Sequence, residues 1–357
     1  MAGVGLDAVG VHVGGRALLQ GVTLEVADGA FVAIVGSSGS GKTTLLRTVA
    51  GLVRPSAGTI RFDGADITLV EAGRRDVGMV FQQAALLRHI SVRRNVSFPL
   101  DVRRQTAEEI RRRVDAEVRA LHIERLLLQR PDELSYGEAQ MVQIARTLVR
   151  VPRVLLLDEP FASLDEQLRG RMRAEIRLLQ EGYGVTTLMT TNDPRDVAAL
   201  AGSVVVLEEG RLVQAGSTVE VRETPATLLA AATTGDLSTF DATVVAESTG
   251  SWLVRDDPSG GPGLRLRSWS PALAEFDGQL VTVAVRPEHV VITPSGSVVA
   301  GVERSIPGST PVVQLVVAGA RIQATPEPGV AHLRGETVRA RIDHHHVFDR
   351  TTGRTVA

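Results

Sequence analysis

The 357-residue sequence contains no cysteine, which excludes disulfides and thiolate chemistry and suits a reducing cytoplasm. It has no apolar run approaching the roughly 18 residues that a membrane-spanning helix needs. Its first residues lack a signal-peptide pattern, so any membrane role is expected to come through a partner. A net charge of -2 offers no overall basic field for nucleic acid. No Phe, Tyr or Trp occurs before Phe31. Lysine is nearly absent as well: Lys42 is the single lysine among 39 basic residues, and every other is arginine. What remains is a globular composition, 43% hydrophobic and 22% charged, in a chain long enough to expect two domains.

The one lysine sits in a telling place. Phe31 to Val35 is a short apolar segment of the kind expected for a buried parallel strand. Gly36, Ser37, Ser38, Gly39, Ser40, Gly41, Lys42 and Thr43 follow, fitting G-x-x-x-x-G-K-[ST], and Leu45, Leu46 and Val49 then recur at helical spacing. Strand, glycine loop and helix are the context this phosphate-cradling motif requires. The glycines let successive N–H groups turn toward phosphates, and the helix N-terminus, which includes Thr44, adds partial positive charge. Lys42 is a compact point charge for the β- and γ-phosphates, and Thr43 is placed to ligate Mg²⁺.

A second apolar run, Val154 to Leu157, ends in Asp158 and Glu159. Phosphoryl transfer needs positioning and charge stabilisation, so a metal-side acid (Asp158) and a water-side acid (Glu159) form the expected pair. "LSYGEAQ", Leu134 to Gln140, reads as a helix start with Ser135 as N-cap and Glu138 three residues on; it also reads as an altered phosphate-gripping motif.

The order and spacing of these elements resemble the ATPase subunits of ABC transporters over essentially the full chain. "MVFQQ" resembles the family's Q-loop, which implies that Gln82 senses Mg²⁺ and the attacking water. "LSYGEAQ" falls where the LSGGQ signature stands, implying that Ser135 and the Gly137 N–H meet the γ-phosphate bound by another protomer. "FASLDEQLR" resembles the D-loop, with Asp165 its aspartate, and "TLMTTNDP" the switch loop, with Asn192 in place of the family's histidine. The resemblance implies an α/β P-loop NTPase domain over residues 1–235, with a RecA-like core and a helical subdomain at about 92–150. It implies ATP and Mg²⁺ as ligands, a second ATPase protomer and transmembrane permease subunits. An indirectly associated solute-binding protein is implied too, as is a location on the cytoplasmic face of the membrane, held through the permease.

Residues 236–357 change texture to short alternating runs broken by Gly and Pro, as expected for a small barrel or sandwich. "VRPEHV" (Val285 to Val290) and the closing "VFDRTTGRTVA" resemble the OB-like C-terminal domain of the maltose/glycerol-phosphate type of importer ATPase, which implies dimer stabilisation and regulatory input. His344, His345 and His346, read as one strand, point to alternating faces, so at most two converge and a polar strand near an interface is expected rather than a metal site. In the helical insert, Ile110, Val114, Val118 and Leu121 form an amphipathic face; interleaved Glu108, Glu109, Asp115 and Glu117 mark its arginines as a solvated surface, not a nucleic-acid patch. By resemblance, this insert and the Q-loop form the groove for the permease's coupling helix, with Leu86, Leu87 and Ile90 as apolar contacts.

Three departures from the family pattern stand out. Val13, with His12 beside it, occupies the place of the aromatic that stacks on adenine, a loss of roughly 1–3 kcal/mol by analogy with base–aromatic platforms. Asn192 keeps an amide donor but no positive charge. Tyr136 replaces a glycine and Glu138 a glutamine, adding a ring and a carboxylate near phosphate. The expected activity is ATP hydrolysis driving import of a carbohydrate or related solute by a homodimer. A heterodimer with a standard signature on its other subunit stays open, as does a catalytically impaired regulatory subunit paired with another ATPase.

Overall fold

The computed structural model describes residues 2–162, 164–248, 250–306, 311–326 and 333–357. The chain divides into two compact units, the break falling between Val221 and Arg222.

In the first unit, β1 (Val4–Val13) and β2 (Arg16–Val26) form a hairpin turning through Gly14 and Gly15, both at positive φ. β3 (Phe31–Gly36), buried at every residue, feeds the glycine loop and α1 (Lys42–Val49). β4 (Ala57–Phe62) and β5 (Ala65–Asp66) complete an antiparallel sheet in the order β2-β1-β4-β5. After β6 (Val77–Val80) come α2 (Val92–Val102), α3 (Ala107–Ala120) and α4 (Tyr136–Leu148). The unit continues through β7 (Val154–Asp158), α5 (Glu166–Tyr183), β8 (Thr186–Thr190), α6 (Pro194–Leu200), β9 (Ser203–Glu208) and β10 (Arg211–Ser217).

The second sheet runs β10-β9-β3-β8-β7-β6, parallel except for the β9–β10 hairpin, which turns at Glu209-Gly210. Strands β3, β7 and β8 are buried throughout, which explains why Phe31 to Val35 and Val154 to Leu157 read as unbroken apolar runs rather than alternating ones. Because β8 lies between β3 and β7, the carboxyl ends of three adjacent strands bring Gly36, Thr190 and Asp158 together, where open α/β sheets place ligands.

The helical insert is built as its periodicity predicts, except that Glu117, expected on the solvated face, is buried and accepts the Tyr183 hydroxyl. Val114, Val118 and Leu121 are buried with Val96, Leu100, Val142 and Ile144, and Ile110 packs against them half-buried. Ser91, Thr106 and Ser135 each cap the following helix by accepting a backbone N–H. A further cap holds the P-loop helix. The buried Arg75 guanidinium donates to Thr48 O and Val49 O (both 2.9 Å) at the C-terminal end of α1, and to Val70 O (2.8 Å) and Thr68 O (2.9 Å). A cation at that end satisfies orphan carbonyls and opposes the helix dipole.

The short α7 (Thr218–Glu223) spans the break. The break precedes the 235/236 position suggested by composition because α8 (Leu228–Thr233) packs Ala231 against Ala284 and Phe348 of the second unit. Among the described residues ten strands follow: β11 (Ser238–Glu247), β12 (Gly250–Arg255), β13 (Leu264–Ser268), β14 (Leu280–Val285), β15 (Val290–Ile292), β16 (Val298–Ile306), β17 (Val312–Val317), β18 (Ala320–Ala324), β19 (Thr337–Ile342) and β20 (His346–Asp349). They make two five-stranded antiparallel sheets, β13-β12-β11-β14-β20 and β15-β19-β16-β17-β18. Val244, Leu253 and Val283 of one sheet share a core with Val302, Leu315 and Ile322 of the other, so the all-β expectation for this unit is met.

The histidine run departs from its sequence reading. Only His346 lies on a strand; His344 and His345 precede it in irregular chain, so alternation of faces does not apply. The His344 ring meets His346 edge-on at 4.7 Å and His289 at 5.1 Å. Among the described residues no group of His, Cys, Asp or Glu has the geometry to hold a metal ion.

Candidate functional site

The glycine loop closes on its own lysine. Lys42 Nζ donates to Gly36 O (2.8 Å) and Ser37 O (2.9 Å). Burial lowers the Lys42 pKa, partly opposed by the negative charges of Glu159 and Asp158. Gly36 is required as glycine: a Cβ there would lie 2.2 Å from Leu207 O and 2.5 Å from Ser40 Oγ. Gly41, at φ 104, leads directly into α1, so the loop's last N–H groups belong to the first turn of the helix.

At the end of β7, buried Asp158 receives two hydroxyl donors on the same oxygen, Thr43 Oγ1 and Thr190 Oγ1, each 2.9 Å from Oδ1. Thr190 Oγ1 also accepts the Glu159 N–H at 2.9 Å. One hydroxyl therefore joins the two acids, and it does so where Glu159 takes φ 45, a left-handed conformation rare for a non-glycine residue. The Glu159 carboxylate is bracketed by amides: Gln82 Nε2 donates to Oε2 at 3.2 Å and Asn192 Nδ2 to Oε1 at 3.1 Å. Asn192 is held by a stapled loop. Thr191 Oγ1 accepts the Asp193 N–H (3.1 Å) and donates to Asp196 (2.7 Å), while Asp193 takes ion-paired bonds from Arg169 and Arg195. Burial pushes the Asp193 pKa up, but the Arg195 hydrogen bonds with the Arg195 and Arg169 charges outweigh it and the net shift is downward.

The signature segment is the helix start its sequence suggested. Ser135 caps α4, with its Oγ 3.4 Å from the Glu138 N–H, and Glu138 Oε2 accepts the Ser135 N–H at 2.9 Å and the Ser135 hydroxyl at 2.8 Å. Arg125 completes the arrangement at 2.5 Å from Glu138 Oε1. The Ser135 bonds, backbone first, hold the Glu138 carboxyl below its usual range. Glu138 thus turns back onto Ser135. Gly137 is buried, and a Cβ there would lie 2.3 Å from Leu168 Cδ2, a tight packing requirement between α4 and α5. Asp165 caps α5 by accepting the Leu168 N–H at 2.9 Å.

Lys42, Thr43, Thr44, Ser38, Gly39, Gly41, Gln82 and Glu159 line one cleft together with Arg16 and Leu18. Val13, Ser135, Gly137 and Asp165 do not line it. Val13 is 58% exposed at the β1–β2 turn, and His12 beside it bonds Ser56 through its N–H at 2.8 Å. Three contributors escaped sequence reasoning. Thr190 lies inside the segment that resembles the switch loop, but only Asn192 was singled out there; Arg16 had only its place after Gly14-Gly15 to mark it. The third is the hydrogen bond from the Tyr136 hydroxyl to the Gln82 carbonyl, which joins residues 54 apart in sequence.

The model of the ABC transporter family matches residues 19–162. A sulfate/thiosulfate import ATP-binding protein of Caulobacter vibrioides is 38% identical over 325 residues, covering 90% of this chain and 91% of its own. An sn-glycerol-3-phosphate import ATP-binding protein of Chromobacterium violaceum is 37% identical over 352 residues, 96% of this chain and 92% of its own. A spermidine/putrescine import ATP-binding protein of Haemophilus influenzae is 36% identical over 287 residues, 80% of this chain and 76% of its own. Among solved structures, cbiO1 from Clostridium perfringens, part of the ABC transporter complex cbiONQ, has a TM-score of 0.58 at 32% identity, over 62% of this chain and 90% of that one.

Proposed function

The chain belongs to the ATP-binding subunits of ABC importers and hydrolyses ATP to energise import, and from that membership we propose how its residues divide the work. The observation that carries the reading is the Glu159 carboxylate held between the Gln82 and Asn192 amides, beside the Thr43–Asp158 pair and Lys42.

Lys42 and the N–H groups of the loop from Ser37 to Thr44 bind the β- and γ-phosphates, a role supported by their placement at the α1 N-terminus. Thr43, Asp158 and Gln82 offer hard oxygen donors that suit Mg²⁺, which when bound neutralises developing phosphate charge. Glu159 orients the attacking water and accepts its proton, while Gln82 and Asn192 fix the carboxylate's direction. Asn192 also supplies a donor for γ-phosphate oxygen. Val13 leaves adenine without an aromatic platform, so the phosphates carry most of the affinity. Ser135, Gly137 and Asp165, which lie outside the cleft, serve the ATP of a second copy of this chain, giving two composite sites per dimer.

The partner is a transmembrane permease, and the chain acts at the cytoplasmic face of the membrane through it. No helix among the described residues is long and apolar enough to cross a membrane. Phe98, Pro99 and Val102 of α2 with Leu87 line a cleft beside β6, and exposed Phe98 and Val102 suit it to an apolar helix of the permease. The β unit stabilises the dimer and takes regulatory input. The cargo, a carbohydrate or related solute, is selected by the permease and a solute-binding protein. The test is co-purification with the permease followed by steady-state ATPase assay with candidate solutes. Solute-stimulated turnover is expected; absence of hydrolysis with the assembled permease would favour the non-hydrolysing regulatory subunit.

A further inference from the structure

We propose that Tyr136 is a positioning residue that ties the water-side machinery of one ATP site to the signature helix presented to the other. This rests on the composite-site reading above. Residues 81–85, which include Gln82, belong to no helix or strand. They are held instead by side chains on one face of α4, at spacings of four, three and three residues. The Tyr136 hydroxyl donates to Gln82 O, Gln140 Nε2 to Phe81 O (3.2 Å), and Arg146 Nη2 to Ala85 O (2.7 Å), while Gln143 Oε1 accepts the Ala85 N–H (3.2 Å). Of the four, only Tyr136 acts on residue 82 itself.

The Tyr136 ring is half-buried against the helical core, so its hydroxyl is delivered by a packed side chain rather than a free one. Gln82 in turn reaches Glu159 Oε2 at 3.2 Å. The path therefore runs from the N-terminal turn of α4, through one hydroxyl and one glutamine, to the residue that activates water. Ser135 and Gly137 flank Tyr136. Any displacement of that turn when the two residues engage the partner's ATP is carried to Gln82. Glycine at this position has no hydroxyl to make the link; phenylalanine keeps the ring and removes only the bond.

The test uses the full chain and Tyr136→Phe. The expected result is a kcat lowered about three- to tenfold, the loss of one ordinary hydrogen bond, with a Hill coefficient for ATP that falls toward one and a thermal midpoint lowered by no more than about 2–4 °C. A Gln82→Ala background should abolish the effect, because the relay then has no end group. Wild-type kcat and Hill coefficient in Tyr136→Phe, with the dimer forming, would overturn the link while leaving the composite site intact. Dimerisation itself is read separately, by sedimentation of Glu159→Gln with ATP: a dimer is expected, and a monomer would remove the composite site and the proposal together.

Discussion

Asn192 Nδ2 donates to Glu159 Oε1 at 3.1 Å, so the loop after β8 directly holds the carboxylate proposed to activate water. Asn192→Ala removes that donor and the donor proposed for the γ-phosphate. One preorganised donor of this kind is worth up to about 10²–10³ in rate, so kcat should fall by at least about tenfold while ATP affinity changes little. Asn192→His keeps a donor and adds a group able to carry charge, and should raise kcat. Saturating-ATP assays of both variants decide the point: unchanged turnover in the alanine variant would detach Asn192 from the reaction.

Glu159→Gln keeps size, the Thr190 bond to the backbone and one acceptor oxygen for its two amide donors, but loses the basic carboxylate. Steady-state hydrolysis should drop below detection while nucleotide binding, followed by a fluorescent ATP analogue, persists. Full activity in this variant would move general-base function to another group.

The parts that could be read from sequence are those whose chemistry is local. Gly36 to Thr43 and the Asp158-Glu159 pair carry their spacing within a few residues, and the Ser135–Glu138 capping box was visible as residue types three apart. The structure adds what depends on strand order and long separation. Thr190 meets Asp158 and Glu159 only because β8 is inserted between β3 and β7, and a threonine in a buried strand gives no hint of that. Tyr136 looked like an obstruction because its local effect is a ring replacing a hydrogen; its partner Gln82 lies beyond two helices. The histidine run misled for the opposite reason. Adjacency suggested one strand, whereas His289, distant in sequence, is what packs against His344.

The glycine loop separates two kinds of glycine requirement. Gly36→Ala puts a Cβ 2.2 Å from the main-chain oxygen of Leu207, so β9 itself must move. Overpacking of this sort costs about 1–3 kcal/mol or more, added to the strain of φ 155. Gly39→Ala meets nothing within 4 Å and bears only the left-handed backbone cost of about 1–2 kcal/mol. The first variant should therefore lose much more thermal stability than the second, as scanning calorimetry would show. Equal midpoints would mean the loop relaxes around Gly36.

The second unit should weaken in mild acid before neutral pH is far behind. His346 is 5% exposed. Burial, with the charges of His344, Arg286, His289 and His345 added, lowers its pKa to about 4, and burial does the same to His345. Glu288 and Asp343 stand by His289, with Glu288 also paired to Arg222. A folded-state pKa below the unfolded value of about 6.5 means that the unfolded chain takes the proton first as pH falls. Stability is thus fully present above pH 6.5, declines between 6.5 and about 4, and levels off below. For His346 alone the difference is worth at most roughly 3 kcal/mol at the acid end. The only two tryptophans, Trp252 and Trp269, lie in this unit, so their fluorescence reports its unfolding without the ATPase unit. The urea midpoint seen by fluorescence should fall from pH 7.5 to pH 5.0, and His346→Leu should flatten that dependence by removing the group the unfolded chain protonates. An identical midpoint at the two pH values would mean that these imidazoles are not buried in the folded unit as their surroundings require.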